Sequence, residues 1–158
     1  MKKIFLPLLG AAALLTASMT SCKTANVTID QVNTQLAGNW YFAEVNGQEV
    51  QSPEEEWPHL EFNTQEGRVS GNAGCNQLMG SFTYSLKGEF KFGDLASTRM
   101  MCPDMKLEDA LSTTLPKVTC YSINTTTGAL KFYSADGTPL VVMSRINPRT
   151  LMQYKQSY

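Results

Sequence analysis

Short segments in which apolar and polar residues alternate dominate this 158-residue sequence. HLEFN at 59–63 and GSFTYSLKGEFKFG at 80–93 alternate in this way, and Lys87-Gly88 interrupts the second segment as a turn would. A period of two is typical of a β-strand with one buried face, because successive side chains point to opposite sides of the strand. No strand this short can bury its apolar face alone, so the pattern requires partner strands.

Turn residues mark further strands on both sides of these segments. Asn46-Gly47 follows GNWYFAEV and suits the positive φ angles of a two-residue hairpin loop. Near the C-terminus, Gly128 and Asp136-Gly137 separate three more apolar segments: TCYSIN at 119–124, ALKFYS at 129–134 and PLVVMSRI at 139–146. We therefore expect roughly six to eight short antiparallel strands.

One segment follows a different period. CPDMKLEDALSTTLPKV, at 102–118, repeats apolar residues every three or four positions, which predicts an amphipathic helix over about 104–116. Asp104 can cap its first turn, and Pro116 has no N–H with which to continue it. The expected fold class is therefore mainly β, a small curved antiparallel sheet or barrel with one inserted α-helix.

The N-terminus has the parts of an export signal. Lys2 and Lys3 precede an apolar run that is too short to span a membrane, and Met19-Thr20-Ser21-Cys22 is similar to the lipobox of bacterial lipoproteins. In that signal the cysteine thiol receives a diacylglycerol, and the peptide is cut before it. We therefore expect lipidation of Cys22. The alternative is an ordinary cleaved signal followed by a coincidental cysteine.

These features divide the chain into four parts. They are a lipoprotein signal peptide at 1–21, a lipidated N-terminus and flexible tether at 22–35, a folded domain at 36–147 and a C-terminal tail at 148–158. Loss of the signal removes two lysines and no acidic residue, so the net charge moves from −1 to −3. A mildly acidic domain without a basic patch is a poor nucleic-acid binder. We expect a monomer held at the bacterial cell envelope through its lipid, on the periplasmic face or the cell surface.

The residues offer little for catalysis or metal binding. Cys75 would need a base to act as a nucleophile, and His59 is the only histidine in the sequence. The cysteines and His59 lack the close spacing of zinc ligands, and no pair of carboxylates or glycine-rich phosphate loop is evident. We therefore expect a protein that is not an enzyme and has no metal and no cofactor.

Five segments, in their order and spacing, resemble the META domain, also called the HslJ-like family. They are LAGNW at 36–40, VSGNAGCNQLMGSFTY at 69–84, FGDLASTRMMCPDM at 92–105, LEDAL at 107–111 and YSADGTPLVVM at 133–143. The resemblance implies a lipocalin-like barrel with one helix. It also implies an envelope lipoprotein linked to heat shock and antibiotic tolerance, without an established reaction.

Cys75 and Cys102 fall in the two most distinctive of these motifs, which favours a disulfide between them in an oxidising compartment. The alternative is two nearby reduced thiols that are buried as small apolar groups. The role of Cys120, which lies outside the family pattern, stays open. The polar residues around the two cysteines form a candidate recognition surface: Asn72, Asn76, Gln77, Thr98 and Arg99.

We therefore expect a lipid-anchored, non-enzymatic domain that binds a partner, such as an envelope protein, or contributes to stress tolerance. The alternative is a lipocalin-like carrier of a small apolar ligand, for which an internal cavity of several hundred Å³ would be evidence. A cysteine-dependent enzyme is the third hypothesis, and it requires that Cys75 be a free thiol.

Overall fold

A computed structural model describes residues 28–51 and 56–156 of the chain. Its strands are β1 (Gly38–Val45), β2 (Gln48–Glu49), β3 (His59–Asn63), β4 (Arg68–Asn72), β5 (Gln77–Tyr84), β6 (Phe90–Ser97), β7 (Cys120–Asn124), β8 (Ala129–Tyr133) and β9 (Pro139–Ser144). Its α-helices are α1 (Ile29–Leu36), α2 (Lys106–Thr114) and α3 (Pro148–Gln156), and a 3-10 turn at Leu115–Lys117 follows α2. The export signal and Cys22 lie outside the described residues.

The strands form one antiparallel sheet in the order β6-β5-β4-β3-β1-β9-β8-β7, and β2 pairs with β1. The sheet curves but does not close into a continuous barrel. Its two edge strands approach each other at a single bridge between Glu89 and Cys120. There the Phe90 N–H donates to the Thr119 carbonyl at 2.9 Å, and the Tyr121 N–H donates to the Gly88 carbonyl at 2.9 Å. The prediction of a mainly β, curved antiparallel fold is confirmed. Of the two expected forms, an open curved sheet and a closed barrel, the structure has the open sheet.

Aromatic side chains fill the concave side of this sheet. Phe62, Phe82, Phe90, Phe92 and Phe132 are buried. The Phe90 ring centre lies 4.7 Å from that of Phe132 and 4.9 Å from that of Phe92, both edge to face. These are the alternating positions of the sequence pattern, and such ring pairs stabilise a core beyond the area they bury. The interior of the curved sheet is therefore occupied by side chains.

Helix α1 occupies residues that we expected to belong to the flexible tether. Val32 and Leu36, one turn apart, are both buried, and the side chain of Gln31 accepts a hydrogen bond from the Thr28 N–H at 3.1 Å. The Trp40 indole donates to the Leu36 carbonyl at 2.8 Å, which fixes the end of the helix to β1. The tether prediction for 22–35 is therefore wrong from Ile29 onward.

Helix α2 is the predicted inserted helix, shortened at both ends. It begins at Lys106, whose N–H donates to the Asp104 carboxylate at 3.0 Å, and the 3-10 turn that contains Pro116 follows its last residue. The predicted C-terminal tail also forms a helix, α3, where Met152 packs against the core. Among the described residues, none of the helices is long and apolar enough to cross a membrane.

Candidate functional site

A disulfide joins Cys75 and Cys102, the pairing that the sequence favoured. Cys75 lies in the loop between β4 and β5, Cys102 lies in the loop between β6 and α2, and their Cα atoms are 6.4 Å apart. The bond ties the two motif loops together beside the start of α2. Because both sulfur atoms are in the bond, Cys75 has no thiolate with which to act as a nucleophile.

The carboxylate of Glu108, in α2, is a second link to the loop between β4 and β5. Its Oε1 accepts hydrogen bonds from the backbone N–H groups of Cys75, at 2.8 Å, and Asn76, at 2.6 Å. Two successive backbone N–H groups that converge on one oxygen form a typical anion site. Here the chain's own carboxylate occupies it, so this corner has no free anion site. The sequence placed Glu108 in the helix but gave no sign of this contact.

The side chain of Asn76 is buried, with 1% of its surface exposed, and is fully hydrogen-bonded. Its Oδ1 accepts from the Thr98 hydroxyl at 2.8 Å and from the Met100 N–H at 2.7 Å. Its Nδ2 donates to the Met100 carbonyl at 3.2 Å and to Glu108 Oε2 at 2.8 Å. An amide has two donors and two acceptor positions, and all four are used. Asn76 therefore braces the loops internally.

The other members of the candidate recognition surface divide into two groups. Asn72 is buried, and its amide accepts from the Gly74 N–H at 2.6 Å and donates to Glu56 at 3.3 Å. Gln77 and Thr98 face each other, and the Gln77 N–H donates to the Thr98 hydroxyl at 3.0 Å. The Gln77, Thr98 and Arg99 side chains are exposed. The two asparagines, Asn72 and Asn76, therefore hold the loops in place. Only Gln77, Thr98 and Arg99 remain as candidates for the recognition surface.

Two glycines of the motif at 69–84, Gly71 and Gly74, permit this geometry. Gly74 has a φ of +134°, a conformation that residues with a side chain rarely adopt. A Cβ on Gly71 would lie 2.1 Å from the His59 carbonyl oxygen, so β3 and β4 can approach only without it. Both glycines therefore have structural explanations.

A cleft of about 530 Å³ lies beside the disulfide, between the β1–β2 hairpin and α2. Its lining includes Val45, Val50, Leu107 and Ala110 as well as both cysteines. Glu49, Asp104 and Lys106 add charged groups, and the Lys106 amine lies 3.9 Å from the Asp104 carboxylate. Its volume is in the range of small-ligand sites, which are typically apolar with a few polar groups.

His59 does not complete a catalytic pair with Cys75. Its Nδ1 lies 3.1 Å from the Trp57 carbonyl oxygen and 3.7 Å from Glu56 Oε1, and its ring centre lies 5.9 Å from that of Tyr41. In the part of the chain that the structure describes, no group of three or more His, Cys, Asp and Glu residues is arranged to hold a metal ion.

Comparisons with known proteins agree with the fold. A family model described as META domain matches residues 33–146. An NMR structure of a protein from Burkholderia xenovorans is 21% identical, with a TM-score of 0.57 over 78% of this chain and 95% of that one. A crystal structure of a DUF4847 family protein from Bacteroides vulgatus is 10% identical, with a TM-score of 0.50 over 71% of this chain and 94% of that one.

At these identities the two structures show a shared fold alone, and no curated protein matches the chain. The family match covers most of the sequence, including both cysteine motifs, and confirms the resemblance noted from the residues. The chain therefore belongs to the META domain family.

Proposed function

We propose that this chain is a lipid-anchored, non-enzymatic binding module of the bacterial cell envelope. Its cleft beside the Cys75–Cys102 disulfide would hold a segment of an envelope protein. The observation that carries the proposal is the cleft itself, an apolar concavity about 530 Å³ in volume whose wall is fixed by a disulfide. Rigid walls favour binding, because little freedom is lost when a partner enters.

The non-enzymatic part of the proposal is supported by the state of the reactive groups. Cys75 is in a disulfide, and Glu108 is hydrogen-bonded to the Cys75 and Asn76 N–H groups. His59 contacts Trp57 and Glu56. A nucleophile needs a base within hydrogen-bond reach, and these residues do not supply that pair.

The anchor is supported by the lipobox-like sequence that ends at Cys22. Mass spectrometry of the protein extracted from cell membranes tests it. We expect a mature chain that starts at Cys22 and carries a diacylglycerol and an acyl chain, and we expect Cys22→Ala to lose both. A mature chain that starts elsewhere, without lipid, would contradict the anchor.

Site-specific photocrosslinking in cells tests the binding function. A benzoylphenylalanine in place of Lys106 places the probe at the cleft, and the same probe in place of Lys131, an exposed residue of β8, serves as the control. We expect a discrete protein adduct from position 106 and none from 131. Equal adducts from both positions, or none from 106, would contradict the proposal.

A carrier of a small apolar ligand is the second candidate, and the apolar lining of the same cleft favours it. Aromatic rings fill the interior of the sheet, so a carrier would use this cleft at the end of β1. N-phenyl-1-naphthylamine, whose fluorescence rises in apolar sites, is a suitable probe. If the protein is a carrier, the fluorescence of this probe should rise on binding, and Ala110→Trp should abolish the rise by filling the cleft. Absence of a signal in the wild-type protein argues against this candidate.

A contribution to stress tolerance is also part of the proposal, and it is supported by the family resemblance. Growth of a deletion strain after heat shock and with antibiotics tests it. We expect impaired growth that the intact gene restores and that the Cys22→Ala variant does not. Unchanged growth of the deletion strain would contradict this role.

A further inference from the structure

Three consecutive residues before Cys102 present large side chains to solvent, and we call Arg99, Met100 and Met101 the methionine loop. Met100 is 54% exposed, and Met101 is fully exposed. Isolated apolar residues are common on protein surfaces, but adjacent exposed ones that a fold holds in place are candidate contact points. Methionine is well suited to such a role, because its side chain is unbranched, polarizable and adaptable.

The backbone of the methionine loop is fixed by residues on each side of it and by its own central residue. The Thr98 hydroxyl donates to Asn76 Oδ1, and both the N–H and the carbonyl of Met100 bond to the same amide. Cys102 is held by its disulfide. Because alternate residues 98, 100 and 102 are tied down, the loop has little freedom to lose when a partner binds. The buried Asn76 therefore acts as an anchor for an exposed surface.

Arg99 adds charge to this surface. It is exposed, and among the described residues it has neither an ion-pair nor a hydrogen-bond partner. A guanidinium group binds carboxylates through two parallel hydrogen bonds, which favours an acidic partner. The loop thus combines two apolar side chains with one exposed cation.

We propose that the methionine loop is a docking contact for a protein segment that presents apolar side chains beside an Asp or Glu carboxylate. This inference rests on the binding function proposed above and names the chemistry of its partner. Cys102, Pro103 and Asp104 continue directly from the loop into the lining of the cleft. A segment bound in the cleft would therefore pass next to the loop and contact both.

Photocrosslinking of the full-length protein in cells tests this inference. Benzoylphenylalanine replaces Met101 in one variant and Lys106 in another, and each is made with native Arg99, with Arg99→Glu and with the control Lys131→Glu. We expect position 101 to form an adduct with a protein, mapped by mass spectrometry to a peptide that contains Asp or Glu. Arg99→Glu should lower that adduct roughly tenfold, while Lys131→Glu leaves it unchanged. Changing the mapped carboxylate to Lys should restore crosslinking to the Arg99→Glu variant.

Five results would overturn the inference. An adduct with twice the mass of the chain would indicate a second copy, and an adduct with lipid would indicate a membrane surface. A crosslink yield that Arg99→Glu leaves unchanged would show that the charge of Arg99 does not contribute to docking. An adduct from position 106 without one from 101 would refute the methionine loop and leave the binding function standing, whereas no adduct from either position would refute both. Thermal unfolding of Arg99→Glu checks that this exposed substitution leaves the fold intact.

Discussion

Glu108 accepts two hydrogen bonds from Asn76, one from the backbone N–H at 2.6 Å and one from the side-chain amide at 2.8 Å. The two residues are 32 positions apart in the chain, and the contact joins α2 to the loop between β4 and β5. The disulfide joins the same β4–β5 loop to Cys102, in the loop that leads into α2. The corner that shapes the cleft therefore has two independent links, one covalent and one polar.

Glu108→Gln should weaken this corner while keeping the shape of the side chain. The amide NH₂ of glutamine would face the Asn76 NH₂, and the charge that strengthens the bonds to the two backbone N–H groups would be lost. We expect a loss of about 1–3 kcal/mol in the free energy of unfolding, measured with urea. Asp109→Asn is the matched control, because it removes an exposed charge from the same helical turn. It should cost about 0.5 kcal/mol or less, and equal losses for both variants would argue against the proposed role of Glu108.

Removal of the disulfide should lower stability without undoing the fold. The bond closes a loop with a sequence separation of 27 residues, and loop-closure entropy for that length corresponds to about 3–4 kcal/mol. We expect the double variant Cys75→Ala/Cys102→Ala to lose about this much in urea unfolding, followed by the fluorescence of Trp40 and Trp57. Its near-ultraviolet circular dichroism should stay native-like, because Glu108 still holds the corner. A loss below about 1 kcal/mol would show that the unfolded chain gains little freedom when the bond is removed.

The β architecture was predictable because its signals are local. Alternation at 59–63 identified β3, and Asn46-Gly47 forms the expected hairpin, with φ angles of 51° and 75°. A period of two and a turn dipeptide can be recognised within a few residues, whatever the rest of the chain does. The same holds for α2, where the apolar stripe placed the helix and only its ends shifted.

The parts that were missed depend on distant contacts. Helix α1 is mostly polar and contributes only Val32 and Leu36 to the core, so its i, i+4 signal is weak. The Thr28-x-x-Gln31 spacing is a helix-start signal that could have found it. The role of Glu108 depends on a loop more than 30 residues away in the chain. The hydrogen bonds that satisfy the Asn76 amide likewise depend on residues that only the folded chain brings together. Asparagines among glycines indicate a shaped loop but not whether their amides face inward or outward.

Arg145→Lys should loosen the attachment of α1 to the sheet. The guanidinium carbon of Arg145 lies 4.0 Å from the centre of the Trp40 ring, and its nitrogens donate to the Asn39 carbonyl at 3.2 Å and to the Gln35 carbonyl. Burial lowers the pKa of this guanidinium below its ordinary value. A lysine amine cannot stack on the ring and reach both carbonyls at once.

We expect Arg145→Lys to lower the free energy of unfolding by about 1–3 kcal/mol, as measured by urea denaturation. Arg68→Lys is a suitable control. Arg68 is exposed at the start of β4 and has no side-chain partner among the described residues. Equal stability of the two variants would show that the stack on Trp40 and the carbonyl contacts contribute little.

Stability should fall at high pH because of Tyr121. Burial, followed by the nearby Tyr84, raises the pKa of Tyr121 from 10.0 to about 12, and its hydroxyl donates to the Ser85 carbonyl at 3.2 Å. Between these two values the folded protein keeps a proton that the unfolded chain has lost. The stabilising contribution is therefore complete below pH 10 and is lost as the pH rises through about 12.

Urea unfolding at a series of alkaline pH values, with absorbance at 295 nm to follow ionisation, measures this effect. We expect Tyr121→Phe to make the alkaline decline shallower, since it removes the group that titrates differently in the two states. Tyr84→Phe should leave a decline that still begins near pH 10 but is smaller and complete at a lower pH, because the charge that adds to the shift of Tyr121 is gone while burial remains. An alkaline decline that is the same in Tyr121→Phe as in the wild-type protein would assign the pH dependence to other groups.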